Sequence, residues 1–145
     1  MKQVHIIGEA YTEFFFDLPL EDEEISLKPY IEVAPYHQAR FGLQIDDDGL
    51  AGWGIEKGDY LLISDFSAEP IFGKPVMVRR DGQFLIRIAA DVNPVESTFT
   101  TCDDVYPPIT LPSENIRIIG VVSGFIKATE DVKLIRRYDF EEEYV

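Results

Sequence analysis

The sequence predicts a mostly-β domain of curved, mixed sheets, and three observations lead there. Short apolar runs rich in Val, Ile, Phe and Tyr alternate with Gly, Pro and Asp turn residues along the chain. Helical periodicity is scarce. A two-sided hairpin pattern stands in the middle, with Val76 to Arg79 and Phe84 to Ile88 flanking Asp81-Gly82. Runs of β-branched and aromatic residues bounded by turn residues read as strands, and Asp-Gly between two such runs is a strong hairpin cue because both turn positions require positive φ. Strands spaced this closely, with no helical pattern between them, favour an all-β layer architecture.

In chain order, Val4 to Ile7 reads as an N-terminal strand and Phe14-Phe15-Phe16 as a buried strand. The acidic run Glu21 to Glu24 follows as a solvated loop. Further strands are expected at Tyr30 to Val33, Phe41 to Ile45, Tyr60 to Ile63 and the two arms of the hairpin. The last and longest runs from Ile116 to Ile126, where Gly120 and Gly124 are placed as bends or bulges. Asp139 to Glu143 closes the chain as an acidic tail. No repeat or linker divides the sequence, so 1–145 is read as one domain.

Composition narrows the function classes. Thirteen Lys and Arg stand against 27 Asp and Glu, a net charge of −14. Nucleic-acid affinity depends on counterion release to clustered cations. The best clusters are the pairs Arg79-Arg80 and Arg136-Arg137, so direct nucleic-acid binding is not expected. A lone Cys102 excludes an internal disulfide, and no apolar run reaches the length of a membrane span. The N-terminus, broken by Gly8, Glu9 and Glu13, does not read as a signal peptide. A cytoplasmic protein without membrane contact is the expectation.

One segment carries a family resemblance. Phe41 to Ile63, containing Asp48-Gly49-Leu50, Gly54-Ile55 and Gly58-Asp59, resembles the catalytic domain of the LexA- and UmuD-like self-cleaving serine peptidases and phage repressors. The same order continues downstream in Gly73 to Val78, Asp81-Gly82, Asn93-Pro94, Tyr106 to Ile109 and Ile116 to Val122. The resemblance implies curved mixed sheets with one short helix over about 40–127, an N-terminal arm at 1–39 and an extension at 128–145.

It also implies a lost activity. The family's nucleophilic serine falls on Gly49 and its lysine base on Arg87. A serine–lysine dyad needs a hydroxyl beside an amine that can be neutral; glycine offers no nucleophile, and arginine stays protonated. No serine lies between Gly42 and Ile63, and a displaced pair drawn from Ser64, Ser67 and Lys74 is a remote substitute. The expected function is a non-catalytic pseudo-peptidase acting as a dimerising or partner-binding regulator, in the manner of SOS-response proteins. Two alternatives are an active self-cleaving peptidase with another nucleophile, and a transcriptional regulator working through a DNA-binding partner.

Site expectations follow. Asp48, Leu50 and Trp53 are candidates for the cleft or a partner surface, and Ile7-Gly8 for the degenerate cleavage bond lying in that cleft. Ile119 and Val121 are candidates for a homodimer surface. Asp46-Asp47-Asp48 is read as a solvated acidic turn rather than a metal site, and two distant histidines with one cysteine give no zinc set. No cofactor or metal is expected.

Overall fold

The computed structural model describes residues 1–18, 28–67 and 70–128. The acidic runs at 21–24 and 139–143, the Arg136-Arg137 pair and nearly all of the 128–145 extension lie outside them. The described chain is mostly β. Its strands are β1 (Lys2–Ala10), β2 (Tyr30–Val33), β3 (Phe41–Ile45), β4 (Tyr60–Asp65), β5 (Pro75–Arg80), β6 (Gln83–Val92), β7 (Glu96–Thr100), β8 (Ile109–Pro112) and β9 (Arg117–Ile126). They form one mixed sheet in the order β2-β1-β3-β4-β9-β5-β6-β7-β8. Only β1 and β3 run parallel; the other neighbours are antiparallel. The short helix expected after Asp48 is a single 3-10 turn, Ala51–Trp53.

The hairpin forms where the Asp-Gly signal predicts it. Asp81 and Gly82 have φ of 50° and 80°, the pair of positive angles that matches the twist of the flanking strands. Each β9 glycine adjoins a shift of register, one against β4 between Leu62 and Ile63 and one against β5 between Met77 and Val78. The extra residues bend β9 and raise its twist.

That curvature lets the sheet close. Beyond β1 the chain continues along the free edge of the first half of β6. Phe16 and Phe84 exchange two backbone hydrogen bonds of 2.8 Å, and the Ile86 N–H donates to the Tyr11 carbonyl at 3.2 Å. The second half of β6 turns instead to β7, from Ile88 to Val92. β1, β3, β4, β9, β5 and β6 therefore make a ring, sealed by residues 11–16.

Each strand of the ring supplies its interior: Ile7, Leu43, Leu61, Met77 and Ile86 are buried there, with Ile119 packed against them. Removing one such side chain from water contributes about 1.5–3 kcal/mol, so the ring interior is the principal stabilising unit. Outside it, Val76, Val78, Leu85, Phe99 and Val121 form a second cluster beneath the β7–β8 extension, while Val4, Ile6, Ile31 and Val33 form a third beneath β2.

One expectation changes. Phe14-Phe15-Phe16 is not a strand: Phe16 alone is buried, Phe15 lies under the Arg80 guanidinium at 3.8 Å, and Phe14 is exposed. The Ile119–Val121 stretch has both backbone edges paired, and its two side chains pack into different cores. Charging Ile119 would disrupt the ring interior, and charging Val121 the cluster outside it, whether or not a dimer forms.

Candidate functional site

Gly49 and Arg87 come together, and Thr12 lies between them. β3 ends at Ile45, and the following turn carries Asp47 inward rather than into solvent, leaving it 8% exposed. Asp47 is thus a correction to the solvated acidic turn. Its Oδ2 accepts from the N–H groups of Thr12 at 2.7 Å and Glu13 at 3.1 Å. Its Oδ1 accepts from the Thr12 hydroxyl at 2.6 Å and the Gly49 N–H at 3.2 Å. The carboxylate so fastens the N-terminal run across the turn, and its neighbours Asp46 and Asp48 keep more solvent contact.

Arg87 closes the other side. It is 1% exposed, the largest fully buried side chain described. Its Nε donates to the Thr12 carbonyl at 2.7 Å, and its Nη1 donates to the carbonyls of Pro107 at 2.7 Å and Phe99 at 3.4 Å. Burial pulls the guanidinium below its ordinary value, against the opposing charge of Asp47; arginine nonetheless remains protonated. Burial also pushes the nearby Tyr106 phenol up, aided by the negative charges of Asp47, Glu13 and Asp48. The arrangement suits a permanently cationic clamp on peptide carbonyls.

Space settles what position 49 can carry. Gly49 needs no left-handed backbone, yet a Cβ built there would overlap the Thr12 hydroxyl and lie 2.6 Å from the Thr12 Cβ. Thr12 is itself fully buried. Its hydroxyl fills the volume in which a side chain at 49 would have to stand. The Gly49 carbonyl accepts from the Cys102 N–H at 2.7 Å, tying this turn to the 3-10 turn Cys102–Asp104.

The other candidate residues scatter. Leu50 is fully buried in the ring interior, Asp48 is exposed, and Trp53 is 47% exposed beside the left-handed Gly54. Phe125 approaches Gly54 from β9 and is 39% exposed. Ile7 and Gly8 belong to β1, where the pairing with β3 slips between Ile6 and Glu9, and Ile7 points into the ring core. The arm does reach Gly49 and Arg87, but through Thr12 further along the chain.

Ser64, offered as a substitute nucleophile, donates to the Ser123 hydroxyl at 2.6 Å. The hollow it lines with His37, Asp65 and Ser67 does not include Lys74. Among the described residues no group of three or more His, Cys, Asp or Glu is placed to hold a metal ion, and no helix is long and apolar enough to cross a membrane. No protein-family model matches the sequence, and no curated protein matches it.

Sequence reasoning singled out Gly49 and Arg87 and missed Thr12 and Asp47, which contact them. Thr12 carries no local signal, since its meaning depends on contacts with residues 35 and 75 positions away.

Proposed function

We propose that the chain is a non-catalytic module on a LexA- and UmuD-like peptidase framework, acting as a regulator by pairing with itself or with a protein partner. One observation carries the reading. The chain's own Thr12 lies against both Gly49 and Arg87, the positions that the resemblance gives to the nucleophile and the base. Its carbonyl is held by Arg87, and its hydroxyl is spent on Asp47. Acyl transfer needs an exposed nucleophile beside a group able to accept its proton. Gly49 supplies no nucleophile and Arg87 cannot accept a proton.

The Thr12 hydroxyl beside the Asp47 carboxylate is the nearest approach to a reactive pair, which gives the self-cleaving alternative its one foothold. Thr12 is fully buried, however, and so shielded from an incoming carbonyl. Intact mass of the purified chain after long incubation, from neutral to alkaline pH, tests the reading. A single unchanged mass is expected. Cleavage anywhere in residues 1–18, above all between Ile7 and Gly8, would overturn it. Sedimentation across micromolar concentrations tests the pairing: a reversible dimer supports it, and a strict monomer leaves only the heterologous partner.

A further inference from the structure

Outside the ring, a groove of about 580 Å³ lies between the turn that precedes β5 and the run that leads into β9. Small organic ligands occupy clefts of roughly 300–1,000 Å³ with mostly apolar walls and a few placed polar groups. Here Ile71 and Phe72 form one wall, Ile116 and Ile118 the other, and Ala89 and Val92 part of the floor. The first wall is pre-formed. The Gly73 N–H donates to the Ala89 carbonyl at 2.8 Å, the Lys74 N–H to Ile71 at 2.9 Å, and the Ala89 N–H to Lys74 at 3.0 Å. Phe72 beside it is left 80% exposed, an aromatic ring with its apolar area in water.

The floor is irregular in a way that matters. Pairing of β6 with β7 shifts between Ala89 and Asp91. The bulge breaks strict alternation, and the sequence neighbours Asp91 and Val92 both line the groove.

The polar groups of the floor have one character. The Ser113 hydroxyl donates to the Asn93 carbonyl at 2.6 Å, which spends its only proton. Ser97, 2.8 Å from Ser113, must then be the donor in that contact. Both hydroxyls keep only lone pairs for a ligand. The Asp91 carboxylate accepts from the Asn93 amide at 3.2 Å and makes no ion pair among the described residues. Among the described lining residues Arg117 is the one cation, and it also borders the adjoining hollow, which Arg79, Asp81 and Glu114 line with it. A net charge of −14 adds a negative background.

We propose that this groove binds a small amphipathic organic amine. Its apolar body lies between Ile71, Phe72 and Ile118, and its ammonium group meets Asp91 with the serine pair accepting beside it. The inference does not depend on the peptidase resemblance.

Three probes that differ only in their head group test it: phenylbutylammonium, phenylbutanol and phenylbutyrate, titrated against the full chain by backbone amide NMR. The ammonium is expected to shift the resonances of Ala89 and Ile118 and to bind about tenfold more tightly than the alcohol, the margin of one charge-assisted hydrogen bond. The carboxylate is expected to bind weakest. Asp91→Asn should erase the preference for amine over alcohol, whereas Phe72→Ala should weaken both. Both residues are exposed, and unchanged melting of the variants will confirm that they fold. Equal affinity for the three probes, preference for the carboxylate, or no binding would each overturn the proposal. So would groove resonances that broaden with protein concentration alone, since a second copy would then be covering the site.

Discussion

Thr12 is held by all of its polar groups: the N–H and hydroxyl by Asp47, the carbonyl by Arg87. Gly49 is the counterpart of that fit, because the space a side chain would need belongs to Thr12. Placing a serine at 49 with a lysine at 87 should therefore damage the fold before it creates any chemistry. A double-mutant cycle separates the terms. Gly49→Ala alone should cost about 1–3 kcal/mol through overpacking, and Thr12→Gly alone about 1.5–3 kcal/mol through the lost bond to a charged partner. The double variant should lose less than the sum by about 1–2 kcal/mol, since each change relieves the other. Urea unfolding measures all three. Strict additivity would show that Thr12 and Gly49 do not share the space. In the sequence, Gly49 and Arg87 could be recognised as unfit for a dyad from their side-chain chemistry. What occupies the site instead could not, because nothing local to Thr12 distinguishes it from any other loop threonine.

Elements were legible where a local rule governs them. β2 and β3 match the expected runs, and the β5–β6 turn follows from the backbone angles that Asp81 and Gly82 adopt. β7 and β8 escaped because Glu96–Thr100 and Ile109–Pro112 are short, partly polar, and stabilised by pairing with each other and with β6. Closure through residues 11–16 was equally hidden, since it joins Phe16 to Phe84. The end of β9 depends on a charge. Burial opposes ionisation of Asp59, but hydrogen bonds from Lys127 and from the N–H groups of Ala128 and Glu56 outweigh it and hold the carboxyl below its ordinary 3.8. A carboxyl depressed on folding binds its proton more readily in the unfolded chain. Its stabilisation is thus fully present above the unfolded value and is lost as pH falls through the lower folded value. Acid should consequently loosen the join between β9 and the turn at 56–59. Asp59→Asn should be less stable than the native chain at neutral pH, with the difference shrinking as pH falls below about 4. A difference that stays constant through that range would remove Asp59 from the account.

At the scale of the whole molecule, two opposed quantities meet: a ring whose strands all contribute to one buried interior, and a chain carrying 27 carboxylates against 13 cationic side chains. Salt acts on both signs of interaction, so its net effect depends on which population is larger. The attractive pairs Arg40–Asp65 and Lys57–Asp46 are exposed, and exposed pairs contribute about 0–1 kcal/mol each. Lys127–Asp59 has its carboxylate side chain only 3% exposed, so salt screens it less. Repulsion among the excess carboxylates has no such protection, and at 0.1 M salt the screening length is already about 10 Å. Screening should therefore remove more repulsion than attraction, and the melting temperature should rise from low to moderate NaCl. Calorimetry at fixed pH and protein concentration reads the sign directly. A melting temperature that falls steadily would mean that the few attractive pairs outweigh the excess charge, and that the acidic surface is arranged locally rather than merely repelling itself.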